Sequence, residues 1–259
     1  MNLADNNDLT LACDYPLQQN QIPAYILRKK HLIRLAKPLQ VYVDDDYCLL
    51  RFSEPQKSLS SAILNGGFNT VKHVLNLKVE ASSANHEAAE LTLQKKLQAL
   101  QADEQTIAMM TAASMNSVRI VQTKSANCHF TVCISCGLGN ARCAGDKADL
   151  GEFAQQQEQE LGTINMVLWV DKPLSDAAMV EAMMMMTEAK ATALQQISVT
   201  SPISGQWATG TGTDSCAVMC PQPQAGTQAI EYVGKHLHLG QQLARAVIAA
   251  VASAAAYEL

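Results

Sequence analysis

The 259-residue chain is 48% hydrophobic and only 17% charged, which excludes a disordered protein and indicates a compact fold. Its net charge of -5, without a long run of lysine and arginine, argues against nucleic acid as the main partner. The polar N-terminus is unlike a secretory signal, and no stretch of about 20 apolar residues predicts membrane insertion. We therefore expect a cytoplasmic protein. Eight cysteines are too few for a disulfide scaffold.

The first part of the chain predicts short strands. Residues 1–22 are polar and predict an N-terminal arm, ahead of one domain over residues 23–259. Strands are predicted at 24–28, 31–35 and 39–43, followed by an aspartate turn at 44–46 and a further strand. The aspartates lack the glycine and distal glutamate of a calcium loop. Alternation over residues 71–79 predicts a half-buried strand with Asn76 on its polar face.

The middle of the chain contains a cysteine cluster. An amphipathic helix is predicted over residues 86–102, and three strand-like segments follow. Cys133, Cys136 and Cys143 offer three thiolates, but their spacing does not fit a paired zinc motif. Buried free cysteines are the better interpretation, and we assign no metal site. A glutamine-rich linker covers residues 150–161.

The densest combination of pattern and chemistry lies between residues 162 and 214. A strand over 162–170 precedes a methionine-rich helix over 175–197, which Ser175 can cap. The helix carries apolar residues on two faces, so we expect it to be covered on more than one side. Glu188 and Lys190 lie about 200° apart around its axis, so at least one should face a partner or a polar cavity. A structural ion pair is one alternative.

Glycines alternate with threonines just before Asp214. Residues 208–214 predict a strand in which Gly210 and Gly212 leave one face bare. Glycine weakens a strand unless something approaches the backbone closely, so a large ligand or a crossing helix is expected there. The closing residues 239–257 predict an alanine-rich core helix. His236 and His238 precede it, where they could bind an anion or transfer a proton.

These elements predict one α+β domain. Its strands should be mostly antiparallel, with about three long helices and with helices covering a pair of sheets.

Several short motifs follow one another in a fixed order. They are Ser60-Ser61-Ala62, Leu64-Asn65-Gly66-Gly67, Asn140-Ala141, Ala144-Gly145-Asp146, Gly162-Thr163-Ile164-Asn165, Leu174-Ser175-Asp176, Glu188-Ala189-Lys190, Ala208 to Asp214, Gly234-x-His236 and Leu239-Gly240. In this set the chain resembles the adenosylcobinamide amidohydrolase family over about residues 58 to 252. The three clustered cysteines are not part of the family pattern.

The resemblance implies hydrolysis of the amide that joins aminopropanol to a propionate side chain of the corrin ring. The product would be adenosylcobyric acid, in cobalamin (vitamin B12) salvage, with the corrinoid as the small-molecule partner. A non-catalytic corrinoid-binding or sensing protein is the alternative. The cofactor requirement and the oligomeric state are left open.

The chemistry of amide hydrolysis selects candidate residues. The reaction needs activation of water, donors for an oxyanion and an acid for the leaving amine. The candidate catalytic residues are Glu188, Asp214 and His236. Glu188 should be desolvated among methionine, alanine and threonine, which suits proton transfer near neutral pH. The candidate substrate-binding residues are Asn65, Asn165, Lys190, Gly210, Thr211 and Gly212. A nucleophilic Ser61 or Thr211 would need a neighbouring base.

Overall fold

The computed structural model describes residues 9–11, 25–27, 31–34, 39–80, 88–102, 105–125, 128–148 and 162–257. Within these ranges the chain forms thirteen strands and three α-helices. None of the helices in the described ranges is long and apolar enough to cross a membrane. The linker at 150–161 lies outside the described residues, as does the predicted N-terminal arm apart from residues 9–11.

The strands and helices follow in a regular order. The strands are β1 (Leu9–Leu11), β2 (Tyr25–Leu27), β3 (His31–Arg34), β4 (Leu39–Val43), β5 (Tyr47–Ser60), β6 (Gly67–Lys78), β7 (Thr106–Thr111), β8 (Arg119–Ser125), β9 (Cys128–Cys136), β10 (Ala141–Arg142), β11 (Ile164–Val170), β12 (Gly210–Thr211) and β13 (Ser215–Pro221). The helices are α1 (Ala89–Ala99), α2 (Asp176–Gln196) and α3 (His238–Ala255). All three predicted helices are confirmed. Ser175 caps α2 as predicted, because its side chain accepts a hydrogen bond from the Ala178 N–H.

Two long strands pass through both layers of a bent sheet. The second half of β5 pairs with β13 and its first half pairs with β4, with a register shift between Arg51 and Gln56. Such an irregularity bends a strand and increases its twist. β6 follows β5 through both halves and then pairs in parallel with β7. The front layer therefore runs β1-β2-β8-β9-β11-β13-β5-β6, and the back layer consists of β3, β4, β5, β6 and β7.

Three apolar cores separate four layers. The first lies between the front layer and helices α2 and α3, the second lies between the two sheet layers, and the third lies between the back layer and α1. Representative members are Met166, Leu168 and Met186 in the first core, Leu50, Val167 and Trp169 in the second, and Leu75, Leu77 and Leu93 in the third. The prediction of one mostly antiparallel α+β domain, with helices covering a pair of sheets, is confirmed.

Two strands differ from the sequence-based prediction. β13 was not predicted, because it is buried on both faces and has no period-two alternation of polar residues. In β6 the expectation that Asn76 lies on a polar outer face is wrong. Asn76 is buried between the sheets, where its Nδ2 donates to Ser135 Oγ at 2.7 Å.

The predicted Gly/Thr strand is shorter than expected. Only Gly210–Thr211 forms a strand, β12, which pairs with β10 in a separate two-stranded sheet. The chain then turns at residues 212–213 and enters β13 after Asp214. This turn brings the Asp214 side chain back toward Thr211, at the end of the front layer where β11 and β13 begin.

Candidate active site

A buried ion pair joins α2 to the segment before β13. The Nζ of Lys190 donates to Oδ2 of Asp214, and the two side chains are only 8% and 13% exposed. The expectation that at least one charge of α2 meets a partner is confirmed. A buried ion pair persists only when further hydrogen bonds satisfy the remaining polar atoms.

Asp214 has such additional partners. Its Oδ1 accepts from the Ile164 N–H at 2.9 Å and from the Thr211 hydroxyl, while Oδ2 also accepts from the Thr211 N–H at 3.0 Å. The carboxylate therefore holds together the start of β11, β12 and α2. With both oxygens occupied by donors, Asp214 fits a positioning role better than direct catalysis.

The lack of a side chain at Gly210 is explained by this ion pair. A Cβ at Gly210 would lie 2.7 Å from Lys190 Nζ and closer still to Asp214 Oδ2. The close approach predicted at this position therefore comes from α2, and the expectation that Gly210 offers a bare surface to substrate is wrong. Gly212 is exposed.

Hydroxyl groups surround the ion pair at the same end of the sheet. Ser61, which follows β5, accepts from the Cys216 N–H at 3.1 Å and lies 3.3 Å from Ser215 Oγ. The hydroxyls of Thr163 and Thr213 are 2.7 Å apart. Hydroxyls both donate and accept hydrogen bonds, so this edge can hold water or a polar substrate group.

Cys216 is a poor nucleophile at this position. Burial raises the pKa of its thiol, and this effect outweighs the opposing hydrogen bond with Ser61 and the nearby charge of Lys190. A raised pKa lowers the fraction of reactive thiolate.

Asn140 belongs to this site, although it was not among the predicted site residues. The loop after β9 places it against Gly212, where an added Cβ would lie 3.3 Å from Asn140 Nδ2. Its Oδ1 is buried and has no hydrogen-bond partner within the described part of the chain. The only signal in the sequence was its place in one of the family motifs.

Asn65 lies in the turn between β5 and β6. Its backbone is left-handed, with φ of 55°, a conformation in which asparagine is enriched. Its Nδ2 donates to the Thr106 carbonyl at 2.7 Å. Asn65 is exposed in this turn.

Asn165 does not fit the predicted contact with substrate. It is 2% exposed, and its Nδ2 donates to Asn76 Oδ1 at 2.8 Å and to the Met110 carbonyl at 2.9 Å. The alternation of β11 points this side chain between the sheets, together with Val167 and Trp169.

Glu188 lies outside the Lys190–Asp214 cluster. It forms an ion pair with Lys235, and its side chain is 48% exposed. The expectation of a desolvated Glu188 is wrong, because this flank of α2 is open to solvent despite its apolar neighbours in sequence. Without desolvation, the argument for proton transfer by Glu188 is lost.

His236 is also outside the cluster. It is exposed in the turn before α3, and among the described residues no hydrogen bond or ion pair links it to Lys190 or Asp214. Of the three residues considered catalytic, the structure places only Asp214 at the site.

The clustered cysteines are mainly structural. Cys133 and Cys136 are buried and free, as predicted, whereas Cys143 is partly exposed. The Sγ of Cys133 lies 3.9 Å from that of Cys48 across the two sheets. No group of three or more His, Cys, Asp or Glu side chains suited to a metal gathers within the described ranges.

The sequence profile of the adenosylcobinamide amidohydrolase family matches residues 32–258. The chain belongs to this family. The resemblance found in the ordered motifs is therefore confirmed. The match includes every residue of the Lys190–Asp214 cluster.

Other similarities are more distant. Over 91 residues the chain is 35% identical to the uncharacterized protein MJ1613 of Methanocaldococcus jannaschii, a stretch that covers 35% of this chain and 34% of that protein. The chain thus spans about a third of the length of this relative. Among solved structures, the PH0078 protein from Pyrococcus horikoshii OT3 aligns with 92% of this chain and 83% of its own, at a TM-score of 0.41 and 10% identity. A beta-aminopeptidase from Burkholderia sp. aligns with 95% and 88%, also at a TM-score of 0.41 and 10% identity.

Proposed function

We propose that the protein hydrolyses the amide between aminopropanol and the corrin ring of adenosylcobinamide. The products are aminopropanol and adenosylcobyric acid, and the reaction serves cobalamin salvage in the cytoplasm. Family membership over residues 32–258 supports the type of reaction. One structural observation carries the assignment to a site: motifs far apart in sequence meet at one end of the front layer.

Direct contacts join these motifs. Ser61 accepts a hydrogen bond from the N–H of Cys216, close to Asp214, and Asn140 packs against Gly212. Asp214 in turn accepts a hydrogen bond from the Ile164 N–H and forms the ion pair with Lys190. Structural elements alone would not require a charged pair and several hydroxyls at one sheet end, since buried charge is expensive. Such a concentration of polar groups is typical of a reaction site.

The Lys190 ammonium supplies positive charge for the oxyanion. During hydrolysis, water adds to the amide carbon and gives up a proton, and negative charge grows on the carbonyl oxygen. The carbon–nitrogen bond then breaks as a proton passes to the leaving amine, so that the proton lost by the water is balanced by the one the amine gains. Lys190 lies in a largely buried position, where its field is screened less than in open water. Asp214 holds the ammonium in place, so little reorganisation is needed as the charge develops.

Ser61 orients the attacking water. Its hydroxyl is exposed and is held by the Cys216 N–H next to Ser215. A nucleophilic serine needs an adjacent base, and the described contacts of Ser61 are with Ser215 and Cys216, neither of which is one. A role in binding water therefore fits Ser61 better than covalent attack.

Release of aminopropanol tests the proposal. Purified protein is incubated with adenosylcobinamide, and aminopropanol and adenosylcobyric acid are measured by mass spectrometry. We expect equal amounts of the two products from the wild type and a loss of about 10²-fold or more in Lys190→Met. Lys235→Met is the matched control, because it removes an exposed lysine from the other ion pair of α2. Corrinoid binding without any aminopropanol would refute hydrolysis and favour the corrinoid-binding or sensing alternative.

A further inference from the structure

An open groove lies beside α2 on the front layer. Its volume is about 720 Å³, which is within the range typical of small-molecule sites. The residues that line it include Lys57, Asn65, Phe68, Asn69, Thr70 and Asp176. We call it the α2–β5 groove.

The floor of the α2–β5 groove leads to the Lys190–Asp214 cluster. Lys57 and Ser61 lie opposite Cys220 and Cys216 of β13, whose side chains face α2 and α3. Because side chains alternate along a strand, those at 57, 59 and 61 of the chain all lie on the face of the sheet that the helices cover. Thr70 pairs with Lys57, and Phe68 pairs with Leu59, on the same face. From Lys57 to Ser61 this row spans about 13 Å, at about 3.3 Å per residue.

α2 borders the groove at its first residue, Asp176, and one flank of the helix continues from there. At 100° per residue, Asp176, Val180, Met183, Thr187 and Lys190 fall within about 80° of one another. Contacts fix both ends of this stripe, because Asp176 forms an ion pair with Lys57 and Lys190 pairs with Asp214. The stripe therefore leads from the groove at Asp176 to the reaction site at Lys190, with Val180 and Met183 giving it apolar surface.

The groove contains an exposed aromatic ring among polar groups. Phe68 is 51% exposed on the floor, next to Asn69 of β6 and the turn that carries Asn65. The apolar surface of an exposed phenylalanine ring is removed from water when a ligand covers it. A flat ligand covers the largest part of the ring. Thr70 accepts a hydrogen bond from Gln222 Nε2 at 2.9 Å, and its hydroxyl can also donate to a ligand that bears amides around its edge.

On the basis of the proposed function, we propose that the corrin macrocycle of the substrate lies in the α2–β5 groove with one face against Phe68. Its aminopropanol-bearing side chain then extends along β5 toward Ser61 and Lys190. The groove binds the ring, and the Lys190–Asp214 cluster acts on one side chain. Phe68 is thereby a specificity-determining residue that contacts the part of the substrate remote from the reaction.

Corrinoid binding by Phe68 variants tests this inference. Dissociation constants for adenosylcobinamide are measured by equilibrium dialysis, with KM from aminopropanol release. Phe68→Ala should weaken binding about 10-fold or more and raise KM in step. Phe68→Tyr keeps the ring and should restore both values. Tyr232→Ala is the matched control, because it removes another aromatic residue that is more than half exposed and lines a different surface depression.

The outcomes separate this inference from the proposed function. If the wild type releases aminopropanol but Phe68→Ala binds corrinoid as tightly as the wild type, the groove is not the corrin site. An equal loss of affinity in Tyr232→Ala would refute it as well. If no aminopropanol is released yet dialysis shows binding that depends on Phe68, hydrolysis is refuted and the groove stands. Thermal unfolding of each variant confirms that binding is compared between folded proteins.

Discussion

Asp214→Ala tests the centre of the site most directly. The change removes the acceptor of four donors, namely Lys190 Nζ, the N–H groups of Ile164 and Thr211, and the Thr211 hydroxyl. Removing one partner of a buried ion pair typically costs about 3–5 kcal/mol, because the remaining charge stays buried without a counterion. Lys190 is 8% exposed, so we expect a loss of about 4 kcal/mol in the free energy of unfolding. For a chain of this size that lowers Tm by about 8–16 °C.

A double-mutant cycle distinguishes the ion pair from general damage. Lys190→Met removes the buried cation, so Lys190→Met combined with Asp214→Ala should be more stable than the sum of the two single changes predicts. We expect a coupling energy of about 1–3 kcal/mol. Circular dichroism during heating gives stability, and aminopropanol release on the same preparations gives activity, which all three variants should lose. An Asp214→Ala protein that melts with the wild type, or strictly additive effects in the cycle, would refute the account of the ion pair.

Three further experiments test separate features of the structure. Glu188→Gln should alter the free energy of unfolding by less than about 1 kcal/mol and leave aminopropanol release near the wild-type rate, because its pair with Lys235 is exposed; a large loss of turnover in a folded protein would return Glu188 to a catalytic role. Gly210→Ala should displace the Lys190–Asp214 pair and reduce turnover more than stability, whereas Gly234→Ala, which has nothing within 4 Å of the added Cβ, should do neither; equal effects on turnover would show that nothing closely approaches Gly210. The third experiment is alkylation with iodoacetamide at mildly alkaline pH, followed by peptide mapping. Cys143, which is partly exposed, should react before Cys128. Burial raises the pKa of Cys128 to about 12 and so lowers the fraction of reactive thiolate at that residue. Earlier labelling of Cys128 would contradict its burial.

The helices could be predicted because their signals are local. The cap at Ser175, the strong helix formers after it and the apolar residues on two faces of α2 all lie within one continuous segment. The central strands carry weaker signals in the sequence. β13 is covered by helices on one face and by the back layer on the other, so its apolar residues show no alternation. Asn76 was assigned to the wrong environment because a single polar residue in a strand does not reveal a partner on the facing sheet, and its partner Ser135 lies 59 positions away.

The same limit applies to Glu188 and Lys190. Their positions in sequence fix the angle between them around α2, and that angle correctly indicated that they face different surroundings. It does not indicate which flank the rest of the chain covers. The nearest neighbours in sequence are apolar on both sides, yet only Lys190 is buried. Burial depends on α3 and β13, and the position of β13 was not predicted.

The Lys190–Asp214 contact follows from topology once β13 is known. β11 and β13 pair in parallel, with α2 as the connection between them. A helix that connects two parallel strands runs back along the sheet, so its second half ends beside the residues that precede the second strand. Lys190 lies in that second half, and Asp214 is the residue immediately before β13. The glycine at 210 then provides the space that the pair occupies. The charged residue on the helix, the glycine and the aspartate are thus one feature of a β-α-β unit, and recognising β13 as its second strand is the step that would have identified the site from the sequence.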